Sequence, residues 1–392
     1  MKKIIIKNAV IVDASHTADS HTNIYIENGI IKEIGSGISE KGCNIIDVEG
    51  AYISPGWIDA HTHVDWETGH TSLDPTITYP CDGITLAVDA GTDGPENYEG
   101  IHEKILTSPI RIKTYLNIAK YGISSSGGEL TSPELLDENR FCKVYEKYRE
   151  EIIGVKIRID PRVNNDILGS LERSKKLADR LGLPLIIHPS RCKEPLEKIL
   201  SFLTNGDVFA HSYSFLEPCI LDASGKIKKC VLEARNRGVW FDLSHGSSNF
   251  SFDIASRAME QDFVVDVIST DLHTMNLSSP VRCISDVMSK MMYLGMSLTD
   301  IIRRVTKTPS AMLNVEKDCS IHIGMNADMT IFKVEKGLYT LEDSCNNKIQ
   351  TDKRINVIGT ILGEDFYPPR KCIFYKGPED TADSRDYKAL RF

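Results

Sequence analysis

Short apolar segments alternate with longer amphipathic segments through the middle of the chain. The apolar segments predict β-strands, one ending at residue 63 and the others at 84–90, 112–118, 151–159, 184–188, 207–211, 239–243 and 264–270. The amphipathic segments predict helices at 170–181, 195–203, 226–237, 252–261, 281–294 and 298–305. Strands that alternate with helices in this way are typical of an α/β fold, and the eight predicted strands indicate a parallel (β/α)8 TIM barrel.

Both ends of the chain have a different pattern, in which short strands are separated by turns such as Asn28-Gly29. After the barrel, such strands are predicted at 327–332 and within 356–375. Strands from the two ends are expected to pair and to form a small β-sandwich domain. The predicted organisation has three parts: a discontinuous β domain from residues 1–52 and 318–376, the barrel from residues 53–317, and a charged C-terminal tail from residues 377–392.

Size, composition and charge restrict the class of protein. A chain of 392 residues with 41% hydrophobic residues is large enough for a barrel and a second, smaller domain. The formal net charge of −9 disfavours nucleic acid and anionic membrane surfaces as partners, because both attract basic patches. No apolar run approaches the roughly 18 residues that a membrane-spanning helix needs. A small molecule is therefore the expected partner, and assembly into a homo-oligomer stays open.

Two features indicate a cytoplasmic protein with reduced thiols. The start of the chain is basic and apolar like a signal peptide, but Lys7 and Asn8 interrupt the apolar run, so a β-strand is predicted. The ten cysteines are scattered and form no Cys-x-x-Cys pair. Such cysteines are typical of an intracellular protein and disfavour a cysteine-ligated zinc site.

Six residues that can bind metal ions occur where predicted strands end. His61 and His63 are two residues apart, so their side chains project to the same side of a strand. The other four are Lys156, His188, His211 and Asp271. Because the carboxyl ends of barrel strands meet at one mouth, all six are expected to face one site. Nitrogen and oxygen ligands of this kind hold divalent ions that generate hydroxide at neutral pH.

Two of these residues allow more than one interpretation. Burial of Lys156 in an apolar strand would lower the pKa of its amine, which could then add carbon dioxide and form a carbamate that bridges two metal ions. The alternative is a lysine that pairs with a buried acid, and the four histidines at the same mouth favour the carbamate. Asp271 is either a metal ligand and catalytic proton carrier or an N-cap after the strand.

Several motifs together resemble one enzyme family. The motifs are Pro55–His63, Val88–Thr92, Gly154–Arg158, Phe241–Gly246, Ile268–His273 and Ile323–Asp328, accompanied by His188 and His211. In this combination the chain resembles the amidohydrolase superfamily of binuclear metallohydrolases, and within it the dihydroorotase-like amidohydrolase/deacetylase group. The resemblance spans residues 1 to about 335 and implies the barrel and the terminal β domain described above.

The resemblance also implies a role for each ligand. His61 and His63 would bind the more buried of two divalent metal ions, and His188 and His211 the more exposed one. Carboxylated Lys156 would bridge both ions. Asp271 would ligate the buried ion and act as general base and then general acid, while a bridging hydroxide attacks the carbonyl. Zinc is the expected metal, with manganese or iron as alternatives, because such sites discriminate weakly among these ions.

Four residues near the predicted mouth are candidate substrate contacts: Arg158, His245, His273 and Tyr121. Arg158 shares the strand face of Lys156, and it would bind a substrate carboxylate or pair with a barrel acid such as Asp89 or Asp242. His245 and Tyr121 lie in loops after predicted strands, where this fold carries its sites. His273 would support the ligands or contact the substrate.

These residues predict a hydrolase that cleaves an amide or ester bond, with an N-acyl or O-acyl carboxylate as substrate. Dihydroorotases carry an arginine just after the paired histidines, and residues 64–68 of this chain contain none. A cyclic amidase of the dihydroorotase or hydantoinase type and an aminohydrolase of the adenine deaminase type stay open. The complete ligand set argues against a non-catalytic scaffold and against a purely structural metal site, because structural sites are closed.

Overall fold

The computed structural model describes residues 2–14, 20–65, 72–76, 78–124, 128–315 and 319–370. The predicted C-terminal tail, residues 377–392, lies outside the described residues. No helix in the described ranges is long and apolar enough to cross a membrane. The nine cysteines in these ranges are all free thiols.

The N-terminal part of the chain contributes strands to a mixed sheet. These strands are β1 (Lys3–Ile11), β2 (Thr22–Glu27), β3 (Ile30–Gly35), β4 (Asn44–Asp47) and β5 (Tyr52–Pro55). Strand β1 pairs antiparallel with β2 and parallel with both β4 and β5. The apolar start of the chain is therefore a strand with neighbours on both sides. A β-strand here is what the polar interruption at Lys7 and Asn8 predicted.

A second, parallel sheet follows. Its strands are β6 (Trp57–Thr62), β7 (Ile84–Asp89), β8 (Arg111–Asn117), β9 (Ile152–Ile159), β10 (Leu185–Pro189), β11 (Val208–Phe209) and β12 (Trp240–Phe241). Each strand pairs in parallel with the next one along the chain. This order is that of a barrel wound from consecutive strand–helix units.

The eighth predicted strand, 264–270, is not a regular strand, and this part of the prediction is corrected. The segment makes only single parallel bridges, Asp242 to Val267 on one side and Thr62 to Leu272 on the other. Polar side chains replace part of its backbone ladder, since the Thr270 amide donates to Asp59 Oδ1 over 3.1 Å. The segment nevertheless lies between β12 and β6 and closes the parallel sheet into a barrel.

All six predicted helices are present, and the structure adds four more among the described residues. In chain order the helices are α1 (Thr78–Cys81), α2 (Tyr98–Thr107), α3 (Glu138–Lys147), α4 (Ile167–Leu181), α5 (Leu196–Leu200), α6 (Lys229–Asn236), α7 (Phe252–Met259), α8 (Ile284–Tyr293), α9 (Leu298–Arg304) and α10 (Lys307–Met312). Helix α4 shows why such segments fold locally: Asp166 caps its first turn by accepting from the Gly169 amide, and left-handed Gly182 ends it.

The last strands return to the first sheet. They are β13 (Asp328–Glu342), β14 (Lys348–Leu362) and β15 (Asp365–Tyr367), and the sheet order is β15-β14-β13-β5-β1-β2-β3. Strands from both chain ends thus pair as predicted, while the sandwich packing and the domain boundaries stay predictions. The hairpin of β13 and β14 also runs along α8, where the Ile355 amide donates to Ser289 Oγ over 2.9 Å.

A buried apolar cluster lies beneath the carboxyl ends of the parallel strands. It includes Ile58, Leu86, Tyr115, Ile186 and Val208, one from each of five strands. A larger cluster joins the outer faces of the strands to the helices. This packing fixes the strands relative to one another, so that side chains at their carboxyl ends are held in place.

Candidate metal centre

Three of the predicted ligands form a buried cluster where the barrel closes. His63 Nε2 lies 3.0 Å from Asp271 Oδ1, and His61 Nε2 lies 3.9 Å from the same oxygen. The potential ligand atoms of these three residues all lie within 4.8 Å of one another, as in a metal site. Lys156 reaches the cluster from β9, with its Nζ 3.3 Å from His61 Nε2.

The two remaining histidines lie beside this cluster. His188 ends β10 and His211 follows β11, and His188 Nδ1 is 3.0 Å from His211 Nε2. The ring of His211 is centred 5.2 Å from that of His61. The structure therefore brings all six predicted ligands together at one mouth of the barrel. That these six residues bind metal ions stays a prediction.

Hydrogen bonds behind His61 fix the orientation of its ring. Ser244 Oγ donates its one proton to the carboxylate of Asp242, so the Ser244 oxygen can only accept from His61 Nδ1, which lies 2.9 Å away. The Ser244 carbonyl accepts from His211 Nδ1 over 2.7 Å. Both rings therefore carry a proton on Nδ1 and turn an unprotonated Nε2 towards the centre.

His63 is oriented in the same way from the next strand. Thr92 Oγ1 donates to Asp89 Oδ2 over 2.5 Å and lies 2.8 Å from His63 Nδ1, which must donate to it. The Nε2 atom of His63 then faces a carboxylate oxygen of Asp271. A contact this close needs a cation between the two atoms, either the proton of an N–H···O hydrogen bond or a metal ion. This contact is a physical sign that the cluster fits a metal ion.

Sequence reasoning missed the two hydroxyl groups that accept hydrogen bonds from the histidine rings, those of Thr92 and Ser244. Both lie within the quoted motifs Val88–Thr92 and Phe241–Gly246, but nothing in their spacing relates them to a histidine on another strand. A serine or threonine within three residues of a strand-end aspartate was the only available signal. It is weak because such pairs also form ordinary turns.

The backbone is strained where three of these residues leave their strands. Ser244, His211 and Asp271 have φ angles of 42°, 59° and 50°. Residues other than glycine rarely adopt this left-handed conformation, and it persists only where surrounding contacts impose it. Here the strain accompanies the turn of each side chain into the barrel mouth.

Burial controls the protonation of the ligands. It lowers the pKa of His61 and His188 well below the usual value and that of His211 to about 3, so these rings are neutral and able to bind a metal ion. Burial also lowers the pKa of Lys156 to about 8. For Asp271 burial acts to raise the pKa, but the hydrogen bond with His63 and the nearby imidazoles outweigh it and hold the pKa below its usual range.

A cavity of about 290 Å³ opens onto the ligands. Besides His63, Lys156, His188 and Asp271, its wall contains Ala90, Ile123, Arg158, Arg162, Ser190, Arg191, Ser247, Ser248, Asn249, His273 and Met275. Three arginines on one side, contributed by β9 and by the segments after β9 and β10, make that rim basic. Such a rim favours an anionic group in the ligand.

Arg158 reaches this cavity, but its acidic partner differs from those predicted. Its guanidinium lies 2.5 Å from Glu129 Oε1. The proposed partners Asp89 and Asp242 instead accept hydrogen bonds from hydroxyl groups near the ligands. Glu129 follows β8 in a loop of irregular structure, and the sequence gives no sign that it returns to the barrel mouth.

The other three candidate substrate contacts differ in whether they reach the cavity. His273 lines the cavity, and its Nε2 lies 3.1 Å from Ser247 Oγ. Tyr121 is 46% exposed and is absent from the cavity wall, while residues 125–127 of its loop lie outside the described ranges. His245 is fully buried behind the wall, with Nε2 2.9 Å from Lys290 Nζ.

Comparisons with known proteins identify enzymes that this chain resembles over most of its length. No family model matches the chain. A deacetylase of Enterococcus faecalis is 30% identical over 349 residues, which cover 88% of this chain and 94% of the relative. A solved dihydroorotase has a TM-score of 0.88 and 25% identity, covering 94% of this chain and 98% of that one. A solved adenine deaminase has a TM-score of 0.86 and 29% identity, covering 94% and 100%.

Proposed function

Because this chain belongs to the amidohydrolase superfamily and is a metal-dependent hydrolase, we propose that it removes the acyl group from a small N-acyl or O-acyl carboxylate. The observation that carries this proposal is one cavity whose wall combines His63 and Asp271 of the His–His–Asp cluster with a basic rim. The name of the Enterococcus faecalis relative supports acyl removal as the reaction. The rim supports a carboxylate in the substrate.

The residues present fit two divalent metal ions. We assign His61, His63 and Asp271 to one ion and His188 and His211 to the other, with zinc as the expected metal and manganese or iron as alternatives. The unprotonated Nε2 atoms and the close contact between His63 and Asp271 support this assignment. When bound, such ions polarise a carbonyl and lower the pKa of water.

We propose that Lys156 carries a carbamate that joins the two halves of the site. Its amine is buried and lies 3.3 Å from His61, and Lys156 lines the cavity together with His188. Among the residues that the structure describes, it makes no ion pair with a carboxylate, which was the alternative interpretation. A carbamate forms when the free amine attacks carbon dioxide and loses a proton, and its two oxygens can bind two ions.

Asp271 is the group proposed to move protons. Its carboxylate contacts His63 and also lines the cavity, so it touches both the metal cluster and the space for the substrate. An ionised carboxylate there can take a proton from the attacking water and then deliver it to the departing nitrogen or oxygen. The products are the carboxylic acid from the acyl group and a free amine or alcohol.

Arg158 is proposed to bind the substrate carboxylate. Its guanidinium has five donors, and the contact with Glu129 leaves part of this set directed at the cavity. Arg162 and Arg191 lie on the same rim, where the buried Asp160 offsets part of their charge. A carboxylate would therefore enter a field that remains positive on this side.

The first test is hydrolysis of a library by the zinc-loaded protein, followed by mass spectrometry of the products and by pH change, because amide hydrolysis near neutral pH yields a carboxylate and an ammonium group with no net acid. The library contains N-acyl amino acids, O-acyl hydroxy acids, cyclic amides and aminopurines. The expected result is release of the acyl group as a carboxylate together with a free amine or alcohol, with a fall in pH only for the O-acyl substrates. Replacing Arg158 by Met should then raise KM for acyl carboxylates about tenfold or more and leave neutral acyl amides unchanged. Equal effects on both substrates would assign Arg158 a structural role.

Deamination is the second candidate, since the solved adenine deaminase resembles the chain over most of its length. A drift to alkaline pH with an aminopurine would show ammonia release and would replace the deacylase proposal. Ring opening of a cyclic amide without reaction of acyl carboxylates would do the same in favour of a cyclic amidase. Each outcome identifies a different leaving group from one experiment.

A further inference from the structure

The turn between β13 and β14, residues 343–347, contacts the loop after β12, residues 244–250. Ser344 makes three hydrogen bonds to this loop. Its Oγ donates to the Gly246 carbonyl over 3.1 Å and accepts from the Phe250 amide over 3.2 Å. Its own amide donates to the Phe250 carbonyl over 2.9 Å. One serine therefore joins the two ends of the loop and closes it.

The turn that carries Ser344 is itself well fixed. Asp343 is buried, and its carboxylate accepts from the amides of Cys345 and Asn347 and from the Asn347 side chain, over 2.8 to 3.0 Å. The same carboxylate accepts from the Phe252 amide at the start of α7, over 3.1 Å. The turn thus has one preferred shape and is anchored to the barrel beside the loop.

The opposite side of the loop forms part of the active cavity. Ser247, Ser248 and Asn249 line the cavity wall. A Cβ atom on Gly246 would lie 2.5 Å from Asp271 Oδ2, so the loop backbone rests directly against the proposed proton carrier. A small shift of this loop would therefore change the shape of the substrate space.

We propose that Ser344 is a positioning residue, through which the long terminal hairpin holds the loop 244–250 against the substrate cavity. The kinetic part of this inference rests on the proposed function. The hydroxyl group is the critical feature because it bridges Gly246 and Phe250. No other group in the described turn bonds to both ends of the loop. Its contribution should appear in substrate binding more than in metal binding, since Ser344 touches no ligand.

The test compares Ser344→Ala with Ser344→Thr and with Leu338→Ser. Leu338 is 70% exposed on the same hairpin and serves as the matched control. In Ser344→Ala we expect KM to rise about fivefold and kcat to change less than about twofold, because both hydrogen bonds of the hydroxyl group are lost while Asp271 itself is unchanged. Metal content should stay at the wild-type level. Ser344→Thr keeps the hydroxyl and should restore KM, and Leu338→Ser should behave as wild type.

Amide hydrogen exchange gives a readout that needs no substrate. Residues 246–250 should exchange faster in Ser344→Ala, with Phe250 most affected, and should return towards wild type in Ser344→Thr. Unchanged exchange of these amides would overturn the inference whatever the activity. If wild type hydrolyses no acyl carboxylate but the exchange changes as expected, the proposed function fails and the positioning role stands.

Discussion

A single carboxylate, that of Asp271, connects the metal cluster with the substrate space. Replacing it by Asn keeps the shape but removes the proton acceptor, so kcat should fall by about 10²- to 10⁴-fold. Steady-state kinetics at saturating substrate, with metal content measured in parallel, check this prediction. Asp253→Asn on the exposed face of α7 is the matched control. Turnover near the wild-type rate would remove Asp271 from the reaction.

The buried histidines make the stability of the metal-free protein depend on pH. Burial lowers the pKa of His211 from 6.5 to about 3. Between these values the unfolded chain binds a proton that the folded chain does not, so stability is complete above 6.5 and is lost as pH falls. His61 and His188 act in the same direction.

Urea unfolding of metal-free protein at pH 7 and pH 5 checks this sign. His211→Asn should reduce the loss of unfolding free energy between these pH values by about 2 kcal/mol. The exposed Leu338→Ser, which removes no titrating group, should keep the wild-type loss. An equal pH dependence in His211→Asn and wild type would contradict the prediction.

Among the elements, the junction between β5 and β6 ties the mixed sheet to the barrel. Gly56 lies at this junction, and a Cβ atom there would be 2.2 Å from Thr85 Cγ2. Gly56→Ala should therefore destabilise the protein by about 1–3 kcal/mol. Gly100→Ala in α2 adds a methyl group to open space and should stabilise by about 0.5–1 kcal/mol. Urea unfolding of both variants checks the opposite signs of the two changes in unfolding free energy. An unchanged unfolding free energy in Gly56→Ala would contradict the close packing at this junction.

Helices and most strands were predictable because their patterns are local. The eighth strand was wrong because Thr270 and Asp266 form hydrogen bonds between side chains and backbone of neighbouring segments in place of a regular ladder. The hairpin was predicted only in part, at 327–332 and 356–375. Its outer half is polar and partly exposed on both faces, so no alternation marks it as strand. Its length depends on packing against α8, which is a tertiary contact.

For the whole molecule, the barrel explains why six predicted ligands spread from residue 61 to residue 271 could be expected from the sequence to lie together. The carboxyl ends of the parallel strands meet at one mouth of the barrel. The position of a residue along its strand is therefore enough to predict which residues lie close together. The groups that contact the wall of the cavity from outside the barrel strands could not be predicted in this way. Glu129 and Ser344 reach the site from irregular segments, and their contacts depend on loop paths that no periodic pattern specifies.

The proposed ligands come from five separate parts of the barrel wall, so metal binding should stabilise the barrel as a unit. Chelation should lower Tm and abolish activity.

If Lys156 carries a carbamate, recovery of activity with zinc in buffer depleted of carbon dioxide should be slow and should speed up when bicarbonate is added. Lys156→Ala should bind less than the full metal content and should not respond to bicarbonate, whereas the exposed control Lys176→Ala should recover like wild type. Recovery that is independent of bicarbonate, with full metal content in Lys156→Ala, would rule out the carbamate and leave the histidines and Asp271 to hold the metal alone.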